Sequence, residues 1–297
     1  MHRLTTLALA AALTAGSSLA EPVSVVTSLP DFAAITRAIG GDLVEVDSIV
    51  KGNRDVHSVE LLPSLMLKVR RADIYVKVGL DLDLWSRQLI DGSRNARLVV
   101  VDPSANIEVL QVPTFKVDAS YGDLHVYGNP HYWLDPANVR PIGEAILDGL
   151  TRVAPQHAAT FRANLDAYVT RIDEATAGWQ QRLAPFAGAR IVSFHNSWPY
   201  FERRFGIRVV EFLEPKPGVP PTPTHIAALQ ELLNSGQVRA ILMESYFDDR
   251  VPAMLSRTTG VPLVKVPILL GAAPGVDDQF ALFDAITRAL AGALAGK

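Results

Sequence analysis

The segment VSVVTSLPDFAAITRAIGGDLVEVDSIV, residues 23–50, decides the fold class. Residues 23–27 are largely β-branched, as in a buried strand, and residues 29–39 place apolar side chains at helical spacing before a pair of glycines. Residues 43–50 return to a strand pattern. A strand, a helix and a second strand in this order predict a unit of parallel sheet, because parallel strands need a long crossover connection.

The same alternation continues along the first half of the chain. Helical patterns cover residues 63–72 and 82–91, and strand patterns cover residues 74–78 and 97–101. Regular alternation of strands and helices is typical of a parallel sheet covered by helices. The pattern therefore predicts an α/β lobe.

Two long helical patterns follow, over residues 139–153 and 156–183, separated at Pro155. The second would be roughly 40 Å long at a rise of about 1.5 Å per residue. A second alternation then begins, with strands predicted at 190–193, 209–212, 240–243 and 263–266. We expect an α/β protein with two similar lobes, residues 21–153 and 185–297, joined by one long rigid helix within residues 154–184.

The N-terminal residues have the pattern of a secretory signal peptide. Arg3 precedes an apolar run over residues 4–15, and small residues at Ser18 and Ala20 suit a signal peptidase. The run is shorter than the roughly 20 apolar residues that a membrane span needs. We expect cleavage after Ala20 and a mature protein in the periplasm, without a lipid anchor because no cysteine follows the cleavage site.

The composition restricts the chemistry of any binding site. The chain has no cysteine, so a metal site must use histidine, aspartate or glutamate, and the core must be stable without disulfides. The formal net charge is −3 and no basic run is present, which argues against a nucleic-acid partner.

Three histidines lie in strand-to-helix turns or loops where the two predicted lobes could converge, and two of them lie where α/β folds place their ligands, beyond the carboxyl ends of strands. His57 and His195 each follow a predicted strand, and His131 lies in a segment rich in turn residues and aromatics, residues 128–136. Each also has a structural interpretation: a helix cap for His57, packing on an aromatic ring for His131 and an interior hydrogen bond for His195. Of the other histidines, His125 could deliver a metal or have no role.

Four segments together resemble the zinc and manganese solute-binding proteins of ABC importers. They are Asp55-Val-His-Ser-Val-Glu60, Asn129-Pro-His-Tyr-Trp-Leu-Asp-Pro136, Ser193-Phe-His195 and Ile241-Leu-Met-Glu-Ser245. The resemblance covers nearly the whole mature chain. It implies two α/β lobes joined by a long helix, with a metal ion in the cleft between them, and a membrane permease as partner.

By this resemblance His57 and His131 are ligands from the first lobe and His195 is a ligand from the second. Manganese-binding members typically have a glutamate at the position of His195. The chain departs from the family in two places: residues 111–127 are short and contain one histidine, and Pro267 takes the place of the usual aspartate ligand.

The candidates for the fourth ligand are therefore Glu244, Asp277, Asp278 and water. Glu244 ranks first because it directly follows a predicted strand, at the strand-end surface that also holds His195. It could instead accept a hydrogen bond from a ligand histidine. Asp277 and Asp278 precede a predicted helix and could instead cap it.

These residues predict a high-affinity zinc receptor that delivers its ion to an ABC importer, because neutral imidazoles suit zinc and manganese prefers oxygen donors. A manganese or iron receptor of the same family is the nearest alternative. Three histidines around an open position are also the ligand set of a zinc hydrolase, and a third alternative is a receptor for a non-metal solute. We expect a monomer, with a periplasmic metallochaperone as a second candidate partner.

Overall fold

The computed structural model describes residues 21–116 and 125–296. The predicted signal peptide and part of the segment 111–127 lie outside the described residues. Within the described ranges, no helix combines the length and the apolar character that a membrane crossing requires.

The first sheet contains four parallel strands in the order β2-β1-β3-β4. Its strands are β1 (Val23–Thr27), β2 (Val44–Ser48), β3 (Ile74–Val76) and β4 (Val99–Val101). The helices of this part of the chain are α1 (Pro30–Gly40), α2 (Pro63–Arg71) and α3 (Trp85–Ser93). This arrangement confirms the predicted parallel α/β lobe.

The second sheet repeats the same order with later strands, β6-β5-β7-β8. Its strands are β5 (Arg190–Ser193), β6 (Arg208–Phe212), β7 (Ile241–Glu244) and β8 (Leu263–Val266). The accompanying helices are α6 (Pro199–Phe205), α7 (Pro223–Asn234), α8 (Arg250–Thr259) and α9 (Gln279–Leu294). Two sheets of identical strand order confirm the prediction of two similar lobes.

Two helices connect the sheets in sequence, α4 (Val139–Val153) and the 26-residue α5 (Ala158–Leu183). The helix α5 packs against α1 and α4 of the first lobe and against α9 of the second. Its buried face includes Phe161, Leu165, Val169, Ile172 and Trp179. One long helix thus contributes to the core of both lobes. The exact residue limits of the lobes remain a prediction.

The predicted helix at 82–91 begins three residues later, at Trp85. Leu80 and Asp81 adopt left-handed backbone conformations, with φ of 51° and 62°. A right-handed helix cannot include residues in this conformation. The Asp83 carboxylate accepts hydrogen bonds from the backbone N–H groups of Val78 and Gly79 and closes this turn. Local turn chemistry therefore overrides the helical pattern of the apolar residues here.

Side-chain hydrogen bonds join the two lobes next to the strand ends. The Trp133 indole donates to the Ile268 carbonyl at 2.8 Å, and the Tyr200 hydroxyl donates to the Asn129 carbonyl at 2.8 Å. The Arg204 guanidinium donates two hydrogen bonds to the fully buried Asp135 carboxylate. These contacts hold the segment around His131 against the second lobe.

Candidate metal site

His57 lies in the irregular loop that follows β2. The Asp55 carboxylate accepts a hydrogen bond from the His57 backbone N–H at 3.0 Å and lies 2.8 Å from the ring Nδ1. The other ring nitrogen, Nε2, is buried and has no hydrogen-bond partner. Asp55 therefore holds the ring with Nε2 free to bind a ligand.

His131 precedes a single 3₁₀ turn, Tyr132–Leu134, and is almost fully buried. The side-chain oxygen of Asn129 accepts from the His131 backbone N–H at 3.0 Å and lies 3.1 Å from Nδ1. Its Nε2 is also buried without a hydrogen-bond partner. A buried polar atom without a partner is costly, so this nitrogen is the kind that a metal ion would satisfy.

His195 follows β5 in the second lobe and is also buried. Its Nδ1 lies 2.7 Å from the carboxylate of Glu214, which lies just beyond the end of the neighbouring strand β6. Because β5 and β6 are adjacent and parallel, the residues that follow them meet at one edge of the sheet. The sheet order therefore brings Glu214 to His195.

The structure brings the three histidines together. One ring nitrogen from each of His57, His131 and His195 lies within 4.8 Å of the other two. The ring centroids are 5.2 to 5.5 Å apart in all three pairs. Tetrahedral zinc with Zn–N distances of about 2.1 Å would hold its nitrogens about 3.4 Å apart, so a small inward shift of the rings would suit the ion.

Hydrogen bonds at Nδ1 give all three rings the orientation that is typical of metal-binding histidines. Sequence reasoning did not assign this role to Asp55, Asn129 or Glu214. For Asp55 and Asn129 the available signal is their position two residues before a candidate ligand. Glu214 is separated from His195 by 19 residues, and only its position at a strand end could have indicated it.

The pKa values of His131 and His195 are shifted in opposite directions. Burial and the neighbouring His195, His57 and His125 rings hold the pKa of His131 well below its ordinary value. Burial would also lower the pKa of His195, but its hydrogen bond with Glu214 and the charges of Glu244, Glu214 and Asp55 outweigh burial and raise it. A metal ion would therefore find His131 neutral and would compete with a proton at His195.

The structure does not bring Glu244 into the compact donor group, which among the described residues comprises the three histidines. Glu244 ends β7 and is completely buried, and its carboxylate accepts a hydrogen bond from the Trp198 indole at 3.1 Å. Burial raises the pKa of Glu244 to about 7, although the nearby His195 charge acts to lower it. Glu244 therefore acts on His195 through its charge. Its oxygens lie outside the cluster of ring nitrogens.

Neither aspartate candidate joins the donor group. The Asp278 carboxylate accepts from the Ala281 backbone N–H at 2.8 Å and caps α9, which is the structural alternative considered for it. Asp277 is exposed and lines a separate cavity with Gly52 and Leu270.

His125 lies against the site, with its ring centroid 5.5 Å from that of His57 and 6.4 Å from that of His131. The remaining histidines of the described chain lie elsewhere in the fold. His157 packs on Phe161, and His225 bonds to the Phe212 carbonyl from the start of α7.

Comparison with known proteins places this geometry among metal-transport proteins. Residues 25–293 match the profile of the family described as "ZnuA: Zinc-uptake complex component A periplasmic". The iron-binding protein YfeA of Yersinia pestis is 25% identical over 250 residues, covering 82% of this chain and 76% of YfeA. The manganese-binding lipoprotein MntA of Halalkalibacterium halodurans is 26% identical over 246 residues, covering 82% of this chain and 78% of MntA. A crystal structure of ZnuA has the same fold, with a TM-score of 0.80 at 24% identity over 92% of this chain and 99% of that chain.

Proposed function

Because the chain belongs to the family of metal-binding, substrate-binding proteins of ABC transporters, we propose that it binds zinc in the periplasm and delivers the ion to its importer. Members of this family are binding proteins rather than enzymes and work with a membrane permease. The three-histidine hydrolase therefore drops out as an alternative. A monomeric receptor that meets the permease directly, with or without a metallochaperone that loads it, fits this proposal.

One observation supports zinc above manganese: the compact donor group consists of three imidazole nitrogens and no carboxylate. Imidazole suits zinc, copper, nickel and iron, whereas manganese prefers carboxylate, carbonyl and water oxygens. Three protein ligands also leave one tetrahedral position for a fourth donor. Because hydrogen bonds already hold the three rings before the ion binds, less conformational entropy is lost when the site becomes ordered around the ion.

Iron or manganese is the second candidate cargo, since the relatives YfeA and MntA are named for iron and manganese. Iron also binds imidazole, so the donor set argues against manganese more strongly than against ferrous iron. Metal analysis of protein purified from the periplasm without added metal separates these cargoes. We expect one zinc ion per chain, and iron or manganese as the dominant metal would refute the assignment of zinc.

A further inference from the structure

His125 has the features of a metal-binding residue and lies outside the group of three ligand histidines. Its Nε2 is buried and has no hydrogen-bond partner. The ring also forms a hydrogen bond with the Asp81 backbone, which leaves Nε2 as the nitrogen without a partner. His125 therefore repeats the pattern of His57 and His131, in which one ring nitrogen is held by the protein and the other is free.

The position of the ring agrees with a shared ion. The 5.5 Å separation between the His125 and His57 centroids falls within the 5.2 to 5.5 Å range of the three clustered pairs. The 6.4 Å separation from His131 is longer than that range by about one ångström. A shift of roughly this size, comparable to the displacements that binding commonly produces in pre-organised sites, would bring His125 within reach of the ion.

A small cavity adjoins the His125 ring. It has a volume of about 20 Å³, and His125, His131 and His195 contribute to its wall. A cavity of at least about 10 to 15 Å³ can hold one water molecule, so this cavity is large enough for one water molecule or one metal ion. The wall also includes Asn129 and Asn196, whose side-chain amides both donate to the Gln111 side-chain oxygen at 3.2 and 2.9 Å.

The backbone that holds His125 is strained. Its partner Asp81 and the preceding Leu80 both have positive φ angles, which are uncommon for residues with a side chain. Strained conformations persist where the surrounding structure enforces them, and they cluster at functional sites. The energetic cost of this turn is understandable if the Asp81 backbone serves to orient His125.

We propose that His125 is the fourth zinc ligand and completes a site of four histidine nitrogens. This inference rests on the proposed function, because it concerns the same ion. It supplies the fourth donor that a closed tetrahedral zinc site needs, since the three clustered histidines alone leave one position open. It also assigns Glu244 the role of a nearby buried charge rather than a ligand.

A cysteine probe tests this proposal directly, because the natural chain contains no cysteine. In His125→Cys, a thiolate in the coordination sphere of Co²⁺ would produce an intense sulfur-to-cobalt charge-transfer band in the near ultraviolet. The matched control is His157→Cys, at a histidine that packs on Phe161 away from the site. We expect the band in cobalt-loaded His125→Cys and no such band in cobalt-loaded His157→Cys or the natural protein.

The affinity for zinc gives an independent measurement with two further variants. His125→Gln should weaken zinc binding by at least about 100-fold, beyond the 10 to 100-fold effect of losing an outer hydrogen-bond partner. Glu244→Gln should weaken it less than about 10-fold, since it keeps an oxygen that can accept from Trp198. Thermal unfolding of each metal-free variant shows whether it is folded.

The outcomes separate this inference from the proposed function. If His125→Cys binds cobalt without the band, or His125→Gln binds zinc as tightly as the natural protein, His125 is not a ligand and the three-histidine receptor stands. If Glu244→Gln causes the larger loss, the fourth ligand is Glu244. If the natural protein binds neither zinc nor cobalt, the proposed function and this inference both fail.

Discussion

Each site histidine is held at Nδ1 by an oxygen acceptor, and the chemical nature of that acceptor differs among the three. His57 and His195 face the carboxylates of Asp55 and Glu214, whereas His131 faces the neutral amide of Asn129. A carboxylate partner makes the ring a stronger base and a stronger metal ligand. The same partner also stabilises the protonated ring, so it increases the competition between protons and metal.

Replacing Glu214 with glutamine tests this balance. We expect zinc affinity at neutral pH to fall by about 10 to 100-fold, the usual effect of changing an outer partner of a ligand histidine. The loss of zinc binding on acidification, in contrast, should begin at a lower pH than in the natural protein. In the natural protein the pKa of His195 is raised, so protons displace zinc once the pH falls through that raised value.

Without the Glu214 charge the pKa of His195 drops, and proton competition should begin at a lower pH. Zinc affinity measured at intervals between about pH 8 and pH 5, around the ordinary histidine pKa of about 6.5, checks both effects. Glu211→Gln is the matched control, because Glu211 lies on β6 three residues before Glu214 and accepts a hydrogen bond from the Phe212 backbone N–H. An unchanged pH profile in Glu214→Gln would show that Glu214 does not control His195.

At the scale of elements, strands and helices with strong patterns are predictable from sequence. The strands β5 and β8 and the helix α4 have the predicted bounds, because turn residues flank clear apolar patterns. The start of α3 is not predictable in the same way, since the two left-handed residues before it and the hydrogen bonds of the Asp83 side chain delay the helix to Trp85. The pairing of Glu214 with His195 also escapes sequence reasoning, because it depends on which strands are neighbours.

The N-terminus of α1 contains a buried acid that lies outside the group of three histidines. Asp31 is 2% exposed, and its carboxylate accepts from the Leu270 backbone N–H at 3.3 Å across the lobe contact. Burial raises the pKa of Asp31 to about 7. The folded protein therefore keeps this proton between about pH 4 and pH 7, whereas the unfolded chain, with an ordinary aspartate pKa of about 3.9, releases it.

The contribution of Asp31 to stability should decline as the pH rises from about 4 to about 7 and stay constant above that range. Asp31→Asn cannot ionise, so it should remove up to about 4 kcal/mol of this penalty at pH 7.5 and little at pH 4. Urea unfolding of the metal-free protein at both pH values measures the difference. Asp42→Asn, at an exposed position beyond α1, is the control, and equal pH dependence of Asp31→Asn and the natural protein would contradict the assignment.

At the scale of the whole molecule, the two lobes are connected beside the site as well as through α5. Gln111 accepts hydrogen bonds from Asn129 of the first lobe and Asn196 of the second, and Arg204 pairs with Asp135 across the same boundary. Hinge closure needs a few residues that absorb a large backbone rotation. A 26-residue helix packed on both lobes opposes such a rotation.

Zinc binding should therefore change stability more than shape. The melting temperature should rise by mass action, with about 2.7 kcal/mol of stabilisation when free zinc is 100 times its Kd. Small-angle scattering of the same samples should show nearly equal radii of gyration with and without zinc. A large decrease in the radius of gyration on adding zinc would show that the lobes close like a trap.

Three or more imidazole nitrogens should make the site select zinc over manganese. A competition titration of the metal-free protein with zinc and manganese tests this, because zinc binds more tightly than manganese at most donor sets and imidazole nitrogens should widen that margin. We predict that one equivalent of zinc displaces manganese completely, even when manganese is present in large excess. Comparable competition by manganese at equal concentration would show that the imidazole nitrogens do not determine which metal binds.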